Sequence, residues 1–461
     1  MNSSDAVCSS TGGLALAAGN RIPLIDIFAG PGGLGEGFGR YEARAGRSAF
    51  RVALCIEKDP LAYRTLLLRA FYRQFPAGSV PPAYYAYVRG EGPGELADLL
   101  EAFPEGRAAL DEVHNLELGR KTYAETDELI RKALGPKRRR GPWVLIGGPP
   151  CQAYSLAGRS RMRRKMGAAF EDDERHTLYR EYLRLIRQHR PTVFVMENVK
   201  GLLSSEHKSR LIINRILSDL SRPAKDLKYE LFPLTLAGSR DTLLDTAAEP
   251  GSFLVPAERF GVPQARHRVI ILGVLSKDYQ SLGRHPGYLQ PEEDAVAAAT
   301  VLDDLPRLRS GLSSQDSFDA WLETLHSVRQ AAWLKLARSN GLNDVGERID
   351  NAIDRLSRPR ADRGRRFIPS GTVGRPSHLS SAALRTWLVD DQLGGVLNHE
   401  ARGHMASDLH RYLFAACYAQ ARASSPRLQD FPEALWPRHR NVKQALAQGL
   451  FNDRFRVQVR Q

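Results

Sequence analysis

Short runs of apolar residues alternate with helical segments over the first 275 residues of the chain. Each run is apolar on both faces, which is typical of strands that are covered on both sides of a sheet. Strands of this kind separated by helices indicate βαβ units and a parallel sheet, so we predict an α/β fold. The predicted strands are residues 22–28, 52–56, 143–146, 192–196 and 267–274.

The pattern of apolar runs alternating with helical segments ends after residue 275. Loop-like stretches and amphipathic segments follow, interrupted by a segment rich in Arg, Ser and Gly at residues 355–378. A chain of 461 residues has room for two or three domains. We therefore predict a flexible lead over residues 1–20, a core domain over residues 21–275 and a smaller, irregular region over residues 276–461.

Charge and cysteine usage restrict the class of protein. The formal charge is +14, which favours polyanionic partners but also fits a solvated basic surface, and charge alone leaves both readings open. Four cysteines, at positions 8, 55, 151 and 417, form no CxxC pair, which indicates a reducing, cytoplasmic compartment and neither a disulfide framework nor a zinc site. No stretch approaches the roughly 20 apolar residues of a membrane-spanning helix.

A glycine-rich turn follows the first predicted strand. Residues 30–35, GPGGLG, fit the GxGxxG pattern, in which glycines let the backbone pass close to a ligand at the start of a helix. Such a turn serves NAD, FAD or S-adenosylmethionine equally well. Glu57 stands at the end of the second strand, where a ribose-binding acid belongs, although an exposed acid at a strand end is an equal alternative.

Two reactive side chains follow the next two strands. Cys151 comes after GGPP, whose two prolines fix the backbone just beyond the sheet edge, where ligands of α/β proteins bind. Cys55 and Cys417 lie in apolar surroundings and are expected to be buried, so Cys151 is the candidate nucleophile. Glu197, in ENV, ends the following strand at the same edge, and we expect it to converge with Cys151 on one ligand.

The last motif is QARHR, immediately before the fifth strand. Alternation along an extended segment predicts Gln264, Arg266 and Arg268 on one face and His267 on the other. Two guanidinium groups on one face suit a phosphate or a base carbonyl, whereas the bland alternative is a basic strand end.

The strings DIFAGPGGLGEGF, GGPPCQAYS, ENVKG and QARHR, in this order, resemble the DNA (cytosine-5)-methyltransferases over residues 22–274. The resemblance implies a Rossmann-like, S-adenosylmethionine-dependent methyltransferase domain with a mixed, mostly parallel sheet, followed by a target-recognition region. It also implies double-stranded DNA as the partner, S-adenosylmethionine as the cofactor and, commonly, a role beside a restriction endonuclease. A cytoplasmic, nucleoid-associated location follows from that partner.

The resemblance assigns a role to each motif. The Cys151 thiolate attacks C6 of a cytosine that is flipped out of the helix, and Glu197 holds N3 and the exocyclic amine. Arg266 and Arg268 support the site, and Arg268 reaches the cytosine O2. The basic segment at residues 153–176 matches a loop that closes over the flipped base.

The same resemblance places the cofactor. The residue that faces the adenine amine is left open between Asp111 and Glu117. The positions that match the S-adenosylmethionine pocket are Phe28, Gly30, Gly32, Gly33, Leu34, Glu57, Pro149 and Leu178.

The chain departs from the family after residue 275. We find no Gly-Asn-containing segment of the kind that completes the cofactor pocket of family members, which predicts either a second polypeptide that supplies it or a truncated reading frame. The C-terminal cluster around His399, Glu400 and His404 has HExxxH spacing, unlike the HExxH of zinc sites, and we expect no metal there.

Three alternatives compete with a DNA methyltransferase. A nicotinamide dehydrogenase uses a glycine turn and an acid such as Glu57, but has no need of PPCQ, ENV and QARHR. An RNA methyltransferase acting on tRNA shares the motifs, although the long region after residue 275 favours DNA. An inactive DNA-binding subunit also keeps them, and cofactor binding by the isolated chain separates it from an enzyme.

Overall fold

The computed structural model divides the chain into two compact units, Met1–Tyr87 with Glu91–Val301 and Val88–Gly90 with Leu302–Gln461. The predicted N-terminal lead lies outside the described residues. The residues that the structure describes are 21–44, 47–92, 94–136, 141–150, 178–204, 206–207, 210–235, 249–283, 285–356, 362–370, 382–437 and 442.

The first unit contains an eight-stranded sheet. Its strands are β1 (Ile22–Ile27), β2 (Phe50–Glu57), β3 (Val113–Asn115), β4 (Val144–Gly147), β5 (Val193–Val199), β6 (Tyr229–Phe232), β7 (Leu254–Pro256) and β8 (His267–Leu275). They lie in the order β6-β8-β5-β4-β1-β2-β3, and β7 pairs with β8. Strands β3, β2, β1, β4 and β5 are parallel, whereas β8 is antiparallel to its neighbours. The predicted mixed, mostly parallel α/β sheet is confirmed.

Helices cover this sheet. An apolar core joins β1, β2, β4, β5 and β8 to three helices whose buried side chains recur at helical spacing, such as Tyr182, Leu183 and Ile186. The helices up to residue 301 are α1 (Gly33–Gly39), α2 (Pro60–Arg73), α3 (Pro82–Arg89), α4 (Leu96–Glu101), α5 (Pro104–Glu112), α6 (Tyr123–Leu134), α7 (Leu178–His189), α8 (Ile212–Ser221) and α9 (Ser276–Leu282). None of the described helices is long and apolar enough to cross a membrane.

The strands predicted from apolar runs are all present, and no end is shifted by more than three residues. Strands β3, β6 and β7 were not predicted, because β3 and β7 have three residues each and β6, YELF, has a glutamate that interrupts its apolar run. The described part of the first unit also contains two small hairpins, Glu42–Arg44 with Arg47–Ser48 and Glu206–His207 with Arg210–Leu211.

The first unit extends beyond the boundary expected at residue 275, as far as Val301. The segment after α9 stays with the sheet through backbone hydrogen bonds, from Leu289 N–H to the Leu234 carbonyl at 2.8 Å and from Glu292 N–H to the Arg259 carbonyl at 2.9 Å. Loop-like composition therefore describes this segment correctly but does not mark a domain boundary.

The second unit contains helices around its own apolar core. The core includes Val328, Ile349, Phe414 and Cys417, so Cys417 is a small buried residue as predicted. The helices are α10 (Phe318–His326), α11 (Ala332–Ser339), α12 (Asn343–Asp354), α13 (Ala382–Leu388) and α14 (Ala406–Arg422). The strands are β9 (Gly311–Leu312), β10 (Gly364–Pro369), β11 (Gly395–Glu400) and β12 (Gly403–His404), paired as antiparallel β10–β11 and parallel β9–β12.

One carboxylate connects the strands of the second unit. The Asp316 carboxylate accepts hydrogen bonds from Nη1 and Nη2 of Arg309, each at 2.9 Å, and from the backbone N–H of Leu312 at 2.7 Å. Nη1 of Arg363 lies 3.4 Å from Asp316 Oδ2. The Arg309 hydrogen bonds lower the pKa of Asp316 to about 2. The side chains of the pair are 9% and 11% exposed, so solvent screens the interaction weakly.

Replacing Asp316 should destabilise the second unit. Asp316→Ala leaves Arg309 and the Leu312 N–H without their acceptor, and we expect the free energy of unfolding to fall by about 2 kcal/mol. Because the folded pKa lies below the unfolded value of about 3.9, this contribution is present above pH 4 and is lost as the pH falls towards 2. Urea titration followed by Trp321 fluorescence tests this, with the exposed Asp319→Ala as control. Equal unfolding midpoints for the two variants would contradict it.

Candidate functional site

The glycine turn between β1 and α1 takes up left-handed backbone conformations. Gly30 and Gly32 have φ of 57° and 94°, and Phe28 has φ of 54°. A Cβ on Gly32 would lie 2.8 Å from Leu66, so this residue packs closely on α2. At Gly30 and Gly33 a Cβ would meet nothing within 4 Å, so the turn opens onto free space. A ligand can therefore approach the backbone there.

Glu57 joins this turn to the end of β2. Its carboxylate accepts the backbone N–H of Gly30 and of Asp59, each at 2.7 Å, and its backbone carbonyl accepts the Asn115 amide at 2.9 Å. The side chain is half-buried at the carboxyl edge of the sheet. The carboxylate thus lies beside the turn, where a ribose-binding acid is expected.

Asp111 and Glu117, the two candidates for the adenine contact, lie at different places in the fold. Glu57 pairs with Asn115, so Glu117 follows β3 at the same edge as the glycine turn, where it forms an ion pair with Lys58 at 2.9 Å. Asp111 lies in α5, before β3, and pairs with Lys132 at 3.2 Å. Of the two, Glu117 lies at the sheet edge that also carries the glycine turn and Glu57.

Glu197 and Arg268 meet at the same edge. Glu197 Oε1 lies 2.7 Å from Arg268 Nε, and both side chains are 24% exposed. The antiparallel pairing of β8 with β5 places Arg268 opposite Val199, and so brings the start of β8 next to the end of β5. A Cβ on Gly148 would lie 2.9 Å from Glu197 Oε2, so this glycine leaves room for the carboxylate.

A buried amide ties the end of β5 to the proline loop. Asn198, 2% exposed, donates its Nδ2–H to the Pro149 carbonyl at 3.1 Å, while its Oδ1 accepts the Val199 N–H at 2.9 Å. The sequence motif ENV was interpreted for its glutamate alone. The structure adds the asparagine as the residue that holds the loop leading to Cys151.

The expected alternation along QARHR does not hold. Strand β8 begins at His267, and the residues before it turn tightly, with Arg266 N–H donating to the Gln264 carbonyl at 2.8 Å. Arg266 is exposed and is not brought to Glu197 as Arg268 is. His267 Nε2 lies 2.6 Å from Glu258 Oε1. Local turn hydrogen bonds therefore replace the strand pattern at Gln264 and Arg266.

The candidate nucleophile Cys151 and the basic segment at residues 153–176 lie outside the described residues, as does most of the basic run at 136–141. Pro149 and Pro150, just before the cysteine, are described at the edge beside Glu197. Leu178 begins α7 and is half-buried. The segment that contains Cys151 is therefore preceded by a proline loop beside Glu197 and Asn198, and it is followed by α7.

Asp26 is a polar residue at the site that the sequence analysis missed. It is 0% exposed, in the middle of the apolar run IPLIDIF, and neither carboxyl oxygen has a hydrogen-bond partner among the described residues. Burial raises the pKa of Asp26 to about 7, against smaller lowering effects of the Gly35 backbone N–H and of Arg73. The signal available in the sequence was an aspartate inside an otherwise apolar predicted strand.

Two histidines of the predicted C-terminal cluster, His399 and His404, have contacts within the second unit. His399 Nε2 lies 2.7 Å from the Pro306 carbonyl, and the His404 ring packs edge-on against Tyr412. Within the described ranges no group of three or more His, Cys, Asp or Glu side chains could hold a metal ion.

Comparison with known proteins points to one family. The model of the C-5 cytosine-specific DNA methylases matches residues 139–335. Type II methyltransferase M.Bpa9945I of Bacillus paralicheniformis is 30% identical over 303 residues, which cover 62% of this chain and 61% of that protein. Type II methyltransferase M.AgeI of Thalassovita gelatinovora is 28% identical over 288 residues, 62% of this chain and 46% of that protein.

The chain thus spans less than two thirds of the length of these relatives. Among solved structures, the Entamoeba histolytica methyltransferase EhMeth covers 66% of each chain at 13% identity, with a TM-score of 0.33. The α/β fold of the first unit follows from its strand order.

Removing the buried amide should loosen the site from the sheet. Asn198→Ala leaves the Pro149 carbonyl and the Val199 N–H unpaired, and we expect the free energy of unfolding to fall by about 1–3 kcal/mol. The exposed Asn115→Ala, which also loses one amide-to-carbonyl bond, should cost less than about 1 kcal/mol. Urea unfolding of both variants measures the difference, and equal losses would show that burial of the Asn198 bond is unimportant.

Proposed function

The chain belongs to the family of C-5 cytosine-specific DNA methylases, and from this premise we propose that it methylates C5 of cytosine within a specific sequence of double-stranded DNA. The observation that carries the proposal is the Glu197–Arg268 pair, held at 2.7 Å beside the loop that leads to Cys151. A carboxyl oxygen at this place can accept from the exocyclic amine of cytosine, while N3, itself an acceptor, pairs with Glu197 only through a proton on the bond between them.

In the proposed reaction, the Cys151 thiolate adds to C6 of the cytosine and makes C5 nucleophilic. Glu197, carrying a proton, donates to N3 and accepts from the exocyclic amine, and transfer of that proton to N3 neutralises the negative charge that the thiolate brings to the ring. Arg268 holds the Glu197 carboxylate and reaches towards the cytosine O2, while Arg266 contacts the substrate from the exposed turn. After methylation, loss of the C5 proton to a base expels Cys151 and restores the aromatic ring.

The cofactor proposed for this site is S-adenosylmethionine, which supplies an electrophilic methyl group when bound. The site fits it, because the turn at Gly30 and Gly33 is open and a carboxylate, Glu57, lies beside it. Glu57 would accept the ribose hydroxyls, and Glu117, at the end of β3, would face the adenine amine. The remaining contacts are assigned to Phe28, Gly32, Leu34, Pro149 and Leu178.

DNA is the proposed partner because the family whose model matches the chain acts on cytosine in DNA. The formal charge of +14 also suits a polyanion. C5 lies inside the base stack, so the cytosine must be flipped out for Cys151 to reach it. Residues 302–461, the second unit, are assigned to target recognition. The Type II names of the relatives support a role in restriction-modification. The comparisons do not support a second polypeptide, and the proposal includes none.

Replacing Cys151 should abolish methylation. We expect 5-methylcytosine at one sequence in plasmid DNA incubated with the chain and S-adenosylmethionine, and a rate more than about 1,000-fold lower for Cys151→Ala, because the nucleophile is lost. Base-resolution sequencing of methylcytosine is the measurement. Cys417→Ala, a buried cysteine of the second unit, is the matched control and should retain activity.

The same assay separates the alternatives. Methylation of tRNA and not of plasmid DNA would replace the proposal with an RNA methyltransferase. Binding of DNA and of S-adenosylmethionine without methylation of either nucleic acid would point to a regulatory subunit.

Replacing Glu57 should weaken cofactor binding. Glu57→Gln keeps the shape of the side chain but loses the charged acceptor, and we expect the dissociation constant for S-adenosylmethionine to rise about tenfold or more. Isothermal titration calorimetry measures it. Glu95→Gln, an exposed carboxylate elsewhere in the first unit, should bind like the unmodified chain. Unchanged affinity of Glu57→Gln would remove Glu57 from the cofactor site.

A further inference from the structure

Asp26 combines complete burial with a place four residues before Gly30, the first residue of the glycine turn. It is 0% exposed, and neither carboxyl oxygen has a hydrogen bond of good geometry among the described residues. A Cβ on Gly35, in α1, would lie 3.1 Å from Asp26 Oδ2, so the helix after the turn packs directly on the carboxyl. The Gly35 backbone N–H lowers the pKa of Asp26, but burial has the larger effect and disfavours the ionised carboxylate relative to the neutral acid.

The charged groups around Asp26 do not neutralise it. Arg73, the cation that acts on it, is already engaged by Glu36 and by Glu112 at 2.6 Å. On β2, Cys55 is the register neighbour of Asp26, and Glu57 adds a negative charge at the strand end. Helix α7 contributes Tyr182, whose hydroxyl donates to backbone carbonyls. The negative charge of Glu57 therefore favours the protonated form of Asp26, and Arg73, which opposes it, is shared with Glu36 and Glu112.

We propose that Asp26 is a positioning residue that holds a proton in part of the free molecules near neutral pH and loses it when the cationic cofactor occupies the neighbouring turn. This inference rests on the proposed function, since it takes S-adenosylmethionine as the ligand. The proton leaves the Asp26 carboxyl for the solvent buffer, and no other bond changes.

The charge of the ligand gives the direction of the coupling. S-adenosylmethionine carries a sulfonium and an ammonium group against one carboxylate, so its net charge is +1. A positive charge placed at the turn that follows Asp26 favours the ionised carboxyl, as any nearby cation does. Glu57, whose charge opposes ionisation of Asp26, accepts hydrogen bonds from the bound ribose. Both changes stabilise the Asp26 anion and, through Gly35, draw α1 against the ligand.

The test is proton release on cofactor binding, measured by calorimetry in buffers of different ionisation enthalpy. With a pKa of about 7 for Asp26, we expect release of about half a proton per cofactor at pH 7. The dissociation constant should fall about fivefold between pH 6 and pH 7 and about twofold between pH 7 and pH 8. Asp26→Asn, which is nearly isosteric and has no ionisable proton, should release none and bind with a flat pH profile.

Two controls keep the test sharp. Cys55→Ala removes a buried group from the neighbouring register position and should retain proton release, because it leaves Asp26 in place. S-adenosylhomocysteine, a thioether without the sulfonium charge, should release less than S-adenosylmethionine from the unmodified chain. That comparison requires no variant, so it decides the question even if Asp26→Asn fails to fold.

The outcomes are distinct. Cofactor binding without proton release, with equal release for the two ligands, or with release retained in Asp26→Asn overturns the inference and leaves the proposed function intact. The absence of any binding heat and of any displacement of a fluorescent cofactor analogue overturns the cofactor assignment itself. Release that depends on Asp26 and on the sulfonium charge supports the inference.

Discussion

The pairing of β1 with β2 on one side and with β4 on the other determines where Glu57 and Glu197 lie along the sheet edge. Ile27 is opposite Ile56 and also opposite Gly147, so the three strands end together. Glu57 follows by one residue, and so does Glu197, because Gly147 is paired with Met196 on β5. A one-residue slip would turn these carboxylates to the opposite faces of the sheet.

The close approach of β1 and β4 depends on Gly147. A Cβ there would lie 2.4 Å from the Ile27 carbonyl oxygen and 3.2 Å from the Tyr182 ring. The glycines of GGPP therefore act in packing as well as in the loop. Gly147 lets the strands meet, and Gly148 leaves room for Glu197, so the string that was interpreted for its cysteine also secures the sheet.

The parts of the site that follow from strand ends could be predicted from sequence. Apolar runs locate the ends of parallel strands, and these ends share one edge, so Glu57 and Glu197 were correctly placed there. Arg268 was expected at the site from the resemblance alone, and the antiparallel register of β8 explains how it reaches Glu197. The turn at Gln264 and Arg266 was missed because alternation was assumed where local backbone hydrogen bonds prevail.

Partners of buried polar groups could not be predicted, because they depend on contacts between distant segments. Asn198 donates to the Pro149 carbonyl across strands, whereas neither carboxyl oxygen of Asp26 has a hydrogen bond of good geometry among the described residues. Three carboxyls thus lie near one edge in three environments: Glu197 beside a guanidinium, Glu57 with two backbone N–H donors, and Asp26 fully buried, where the Gly35 N–H and Arg73 offset the effect of burial in part. Since environment and not residue type sets the protonation state, the buried carboxyl is the one whose charge a cationic ligand can change.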